Sequence, residues 1–326
     1  MREIVITENE AGQRFDKMLA KYLKEAPKSF LYKMLRKKNI VLNGKKATGN
    51  EKLKVKDSVQ LFLAEETILK FSGERLKVID SREKLDIIYE DQNVIFLNKP
   101  VGMLSQKAKD SDVSMVEHLI SYLVKSRKIT QEELVTFHPS ICNRLDRNTS
   151  GLIVAGKSLL GLQVMSRLFK ERTMEKYYLC LVQGRVGEKQ KISGYLLKDE
   201  KTNKVSVSKE SMRGAKESSE IRTEYRPVKA SDEVSLLEVH LITGKTHQIR
   251  AHLASIGHPI IGDYKYGNKP VNDFYKEKYG LESQFLHSYR LKFPDLSEEL
   301  PEISNKEFQA DLPELFCRIA SDKGVL

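Results

Sequence analysis

The first chemistry this sequence offers is a single carboxylate between two guanidinium groups. The run is Asn143-Arg144-Leu145-Asp146-Arg147-Asn148-Thr149-Ser150-Gly151-Leu152. Flanking positive charge favours the ionised form of Asp146. Thr-Ser-Gly makes a turn, and the apolar run Leu152-Ile153-Val154-Ala155 reads as a strand. An ionised carboxylate at a strand entrance suits a nucleophile better than a proton donor. The alternative is a surface Arg-Asp-Arg turn closed by a local salt bridge.

Two further stretches carry reactive side chains. In Glu175-Lys176-Tyr177-Tyr178-Leu179-Cys180-Leu181-Val182, strand alternation puts Tyr178 on one face with Cys180 and Val182, and Tyr177 on the other. The plain alternative for Tyr178 is a core aromatic with its hydroxyl bonded. Ser235 to Ile242 reads as a strand entering Thr243-Gly244-Lys245-Thr246-His247-Gln248-Ile249-Arg250-Ala251-His252-Leu253. A helix follows, with Thr246 as its expected N-cap and Ile249, Leu253 and Ile256 as its buried side. Gly-Lys-Thr invites a phosphate-loop reading, which fails because Val239 stands where the first glycine is needed. His247, His252 and His258 are not spaced to share a helix face, so no metal site is expected.

Together these motifs resemble the RluA-type family of RNA pseudouridine synthases. Arg-Leu-Asp-x-x-Thr-Ser-Gly-Leu is similar to the stretch carrying the family's essential aspartate, which falls on Asp146. The family usually has His where this chain has Asn143. Lys99-Pro100-Val101-Gly102 resembles its first motif, Lys176-x-Tyr178 its tyrosine motif, and Thr243 to Leu253 its arginine motif, with Lys245 in place of a frequent Arg. Leu286-His287-Ser288 resembles a Leu-His-Ala stretch near the end of the sheet. The resemblance implies that Arg250 pairs with Asp146, a guanidinium gripping the carboxylate with two bonds. It also implies that Tyr178 stacks on the uracil and is a candidate base at C5. Arg144, Arg147, Lys245 and His247 are expected to contact RNA around them. The implied reaction converts uridine to pseudouridine, an isomerisation that needs no cofactor. Two rival readings are a non-catalytic RNA-binding factor and a nuclease. The retained Asp146, Tyr178 and Arg250 speak against the first, and the missing metal or His-pair spacing against the second.

Composition fits a polyanionic partner. Over 326 residues the chain carries a net charge of +11. Residues 1 to 60 hold 15 Lys and Arg against 7 Asp and Glu, a local excess of +8. Three cysteines without C-x-x-C spacing read as reduced thiols, and Cys142 as a small buried one. The acidic start and the lack of an apolar run near 18 residues argue against a signal peptide or membrane span, so a cytoplasmic protein is expected, with a monomer as the default expectation.

Those first residues predict a small module. Phe15, Leu19, Tyr22 and Leu23 recur at helical spacing within 13 to 23. A second helix is expected from Ser29, its N-cap, to Lys38. Phe30, Leu31, Met34 and Leu35 would form its inner stripe, with Lys33, Arg36, Lys37 and Lys38 presented to phosphates. Asn43-Gly44 turns a hairpin carrying Lys45, and 57 to 63 reads as a closing strand. This order resembles the S4-type RNA-binding domain. Within the family, that domain joined to these motifs points to large-subunit, 23S-type ribosomal RNA or its precursor particle. The expected fold class is therefore α+β: an S4-like domain over 1–63, a linker over 64–84, and a catalytic domain over 85–326 on a bent, mainly antiparallel mixed sheet. Residues 85 to 97 predict a hairpin about Asp91-Gln92, and Ser158 caps a helix to Lys170. Residues 184 to 226 are expected to form polar hairpins and loops at the rim, where Lys201, Lys204, Lys209, Arg213 and Lys216 are candidate RNA contacts.

Overall fold

A computed structural model describes residues 1–73, 78–81, 83–131, 133–199, 204–208 and 218–326. Lys201, Lys209, Arg213 and Lys216 lie outside the described residues.

The N-terminal body contains β1 (Arg2–Val5), α1 (Phe15–Tyr22), α2 (Lys28–Arg36), β2 (Ile40–Leu42), β3 (Lys45–Lys46), β4 (Ser58–Leu61) and α3 (Glu65–Ser72). Its antiparallel sheet runs β1-β4-β2-β3. Phe15, Leu19, Leu31, Leu35 and Ile40 meet in one core, leaving Lys33, Arg36, Lys37, Lys38 and Lys45 exposed. Asn43 and Gly44 both take positive φ, the geometry a two-residue hairpin requires. Two local expectations change. Pro27, not Ser29, sits at the N-cap of α2, where its fixed φ suits the helix entrance. The expected linker is partly helical: Ile68 of α3 is fully buried in the N-terminal core, and that burial outweighs the weak periodicity of a charged segment. This body meets the rest of the chain at Val135 and through a buried bond from Thr136 Oγ1 to Glu10 Oε1, 2.6 Å.

The larger body holds β5 (Ile87–Glu90), β6 (Val94–Lys99), α4 (Met115–Lys125), β7 (Ser140–Ile141), β8 (Ser150–Gly156), α5 (Leu159–Glu171) and β9 (Glu175–Gln183). Then come β10 (Gln190–Asp199), β11 (Lys204–Ser208), β12 (Ser218–Ala230), β13 (Val234–Leu241), α6 (Gln248–Ser255), α7 (Lys269–Tyr279), β14 (Leu286–Lys292), β15 (Glu307–Gln309) and α8 (Glu314–Asp322). The sheet runs β11-β10-β12-β13-β9-β14-β8-β6-β5, with β7 on β8 and β15 on β14. It is antiparallel except where β14 runs parallel to β8. Ser158 caps α5 by accepting from Gly161 N. α4 and α7 carry start signals in Ser114-x-x-Glu117 and Asn268-Lys269-Pro270.

Three expectations are corrected here. The hairpins expected in 184 to 226 are the antiparallel strands β10 to β12 at the sheet edge, but they are not wholly polar, because Ile221, Thr223 and Tyr225 alternate inward. The Leu286 stretch is not near the sheet's end but inside it, between β9 and β8. That position depends on Gly151, whose φ is +108° and where a Cβ would lie 2.2 Å from Ser288 O. Only glycine lets β8 approach β14 so closely. α6 begins after His247, which adopts the left-handed conformation at φ 55°, and Ile256 is exposed. Helical periodicity misled because the polar residues Gln248, Arg250 and His252 are themselves buried and hydrogen-bonded.

Candidate active site

The loop from Asn143 to Thr149 is fastened to the sheet on every side. Asn143 Oδ1 accepts from Val154 N at 2.7 Å, and its amide donates to Leu152 O at 3.3 Å, so it bonds the loop's first residue to β8. Ser105 Oγ donates to Leu145 O at 2.8 Å and accepts from Leu145 N at 3.0 Å. Gln284 donates to Thr149 Oγ1, and Ser150 Oγ pairs with His287 Nδ1.

Lys99 is the fastening that sequence reasoning passed over. It is fully buried, and its ammonium donates to Pro100 O at 2.9 Å, Met103 O at 2.9 Å and Arg147 O at 3.0 Å. One cation thereby joins the Lys-Pro-x-Gly turn to the aspartate loop. Burial lowers its pKa to about 8, with the charge of Asp146 opposing. Arg147 adds a second tie, its Nε donating to Gly102 O at 2.9 Å. The Lys-Pro-x-Gly stretch marked its position in the sequence, but not the three carbonyls that converge on it.

Asp146 thus stands on a fixed loop, its side chain 30% exposed. The cation in contact with it is Arg250, 104 residues later in the chain, at 2.9 Å from Nη1 to Oδ2. The expected two-bond grip falls elsewhere. Arg250 Nε and Nη2 bond Asp263 at 2.7 and 2.9 Å, leaving a single bond for Asp146. The reason is burial: Asp263 is fully enclosed and needs a cation, whereas Asp146 faces the cleft. Burial opposes the Arg250 charge, but bonds to Asp263 and then the charge of Asp146 raise its pKa above the ordinary value. Asp263 is a site residue that sequence reasoning did not single out, although it lies in the Gly-Asp that follows α6. Arg144 and Arg147, the charges adjacent in sequence, are exposed at the cleft.

His247 comes nearer the carboxylate than an RNA-contact role required. Its Nε2 is 3.7 Å from Asp146 Oδ2, and Nδ1 pairs with Tyr266 Oη at 2.9 Å. Burial pulls its pKa below the ordinary imidazole value. Tyr178 lines the same cleft, buried to 8% exposure. Burial pushes its phenol up to about 12, with a hydrogen bond to Ser288 acting the other way. Cys142 also lines the cleft, and burial raises its thiol to about 12, away from thiolate chemistry. His252 pairs with Thr223 Oγ1 and His258 with Gln183 O.

The cleft measures about 860 Å³. Among the described residues, eight Lys and Arg line it against one acid, Asp146. Lys107, Lys170, Arg172 and Lys176 join the expected Arg144, Arg147, Lys245 and Arg250. Lys33, Arg36, Lys37, Lys38 and Lys45 are not part of its wall; they stay on the N-terminal body.

Residues 93–255 match the family model described as RNA pseudouridylate synthase. The chain is 32% identical over 300 residues to the ribosomal large subunit pseudouridine synthase C of Vibrio vulnificus, covering 91% of this chain and 89% of that one. It is 33% identical over 282 residues to the ribosomal large subunit pseudouridine synthase D of Borreliella burgdorferi, covering 85% and 81%. Among solved structures, human RNA pseudouridylate synthase domain containing 4 superposes with a TM-score of 0.56 at 21% identity, over 72% of this chain and 92% of that one, a likeness of fold.

Proposed function

We infer from its family, the RNA pseudouridylate synthases, to which this chain belongs, that it isomerises uridines of large-subunit ribosomal RNA at Asp146. The observation that carries the site assignment is one carboxylate, held by a buried guanidinium, in a cleft whose other charged walls are cationic. Such walls attract a polyanion, and the two curated relatives named above support ribosomal RNA of the large subunit.

A uridine stacked in a helix cannot reach Asp146, so the nucleotide turns out of the stack into the cleft. The bond from N1 to C1′ breaks, the base rotates, and C5 bonds to C1′. C5 loses its proton and N1 ends with one, so the product has the composition of the substrate. Asp146 initiates the cleavage as the carboxylate at the reacting face. Arg250 fixes its orientation through Nη1 while Asp263 fixes Arg250. A phenol near 12 keeps its proton at neutral pH, so Tyr178 contributes its ring face for stacking on the base more readily than it removes the C5 proton. The basic face of α2 and the Lys45 turn, an S4-type arrangement, hold the RNA at a distance from the cleft.

Tritium release from 5-³H-uridine in unmodified large-subunit ribosomal RNA tests this, with Asp146→Asn as the control. Release by wild type and none by the variant is expected. Equal release by both removes Asp146 from the chemistry. Release only from transfer RNA overturns the choice of substrate.

A further inference from the structure

Lys176 lines the Asp146 cleft, two residues before Tyr178 on the same face of β9, and the chemistry above gives it no task. It is 9% exposed, unusual burial for a lysine. Among the described residues no acceptor is within hydrogen-bond reach of its ammonium, and the charge acting on it is another cation, Arg172. Burial first, and Arg172 second, pull its pKa below the ordinary value. Arg172 closes α5 in the left-handed conformation, is exposed, and lines the same cleft. Two cations on the wall of one cleft, with no counter-charge on Lys176 among the described residues, are unfavourable until an anion joins them. A phosphate meets both: its oxygens accept from an ammonium as a point charge and from a guanidinium fork.

We propose that Lys176 and Arg172 form the binding site for the phosphodiester next to the uridine seated over Asp146. The proposal rests on the RNA reading above, and its test keeps the two apart. First, the full-length protein is acetylated with an N-hydroxysuccinimide ester in the presence of uridine 3′,5′-bisphosphate, uridine or inorganic phosphate, and labelling of Lys176 is read by mass spectrometry. The bisphosphate is expected to protect Lys176 strongly, and uridine not at all. This arm needs no turnover, so protection in a protein that releases no tritium supports the phosphate site while the reaction reading fails. Equal labelling under all conditions overturns the site. Protection by inorganic phosphate as complete as by the bisphosphate makes it a free-anion site and overturns the strand assignment.

Second, on an RNA that wild type converts, Lys176→Met is expected to raise KM roughly tenfold, a larger change than in kcat. The slope of log(kcat/KM) against log salt becomes shallower by about 0.7, one phosphate contact on a single strand. Lys176→Arg restores both. A fall in kcat with the wild-type salt slope, not rescued by Arg, marks a purely structural residue and overturns the proposal.

Discussion

Asp263→Asn probes the buried end of the ion triad. Asp263 Oδ2 accepts from Arg250 Nε at 2.7 Å, while Oδ1 accepts from Nη2 at 2.9 Å. Oδ1 also takes the backbone N–H groups of Lys265 at 2.9 Å and Tyr266 at 3.2 Å. The substituted amide keeps its oxygen where those three donors converge. Its NH₂ then faces the Nε–H of Arg250, a donor against a donor. One charge-assisted bond is lost and another loses its ionic part. At about 1.5–3 kcal/mol for a bond to a charged group, the change costs about 3 kcal/mol. That is the low end for breaking a buried pair, because Asp146 still balances Arg250. Arg250, released on one side, turns to give Asp146 a second bond and holds it back from substrate. If the full cost appears in kcat, the fall is about 150-fold. If it appears in folding, Tm falls by about 4 °C. Single-turnover tritium release and calorimetry measure the two shares. Wild-type kcat and Tm together would refute the triad. A lowered Tm with full kcat would show that Asp263 serves the fold and not Arg250.

Three more outcomes follow from the same geometry. Lys99→Met leaves the carbonyls of Pro100, Met103 and Arg147 without their shared donor, and urea unfolding should show a loss of about 3 kcal/mol; an unchanged midpoint argues against the clamp. Gly151→Ala drives a Cβ into the Ser288 backbone at a positive φ, so soluble folded protein should be lost, whereas a normal circular dichroism melt would contradict the close β8–β14 approach. His252 and His287 have pKa values lowered to about 4 by burial. Between pH 6.5 and 4 the unfolded chain therefore binds protons that the native chain refuses, and stability falls with pH by about 3 kcal/mol per residue. Urea unfolding at pH 7 and 4.5 should show this, and His252→Gln should flatten the dependence.

The elements that sequence alone predicted are those whose signals are local. The Asn43-Gly44 hairpin, the stripe of α2, the Ser158 cap of α5 and the alternation of β9 each depend on residues a few positions apart. The run around Asp146 marked the carboxylate for the same reason: its chemistry is written in neighbouring residues. Tertiary structure decided which cation serves that carboxylate. Sequence neighbours Arg144 and Arg147 turn to the cleft and to Gly102, while Arg250 arrives from α6 and is itself claimed by Asp263. Lys99 illustrates the same limit, since a lysine after a strand gives no sign that three carbonyls will converge on it. So does Lys176, which among the described residues has no counter-charge, a fact visible only in the folded cleft. Periodicity records which faces are apolar; it cannot record a buried polar group whose partner lies a hundred residues away, because the energy of that burial depends on the partner and not on the residue.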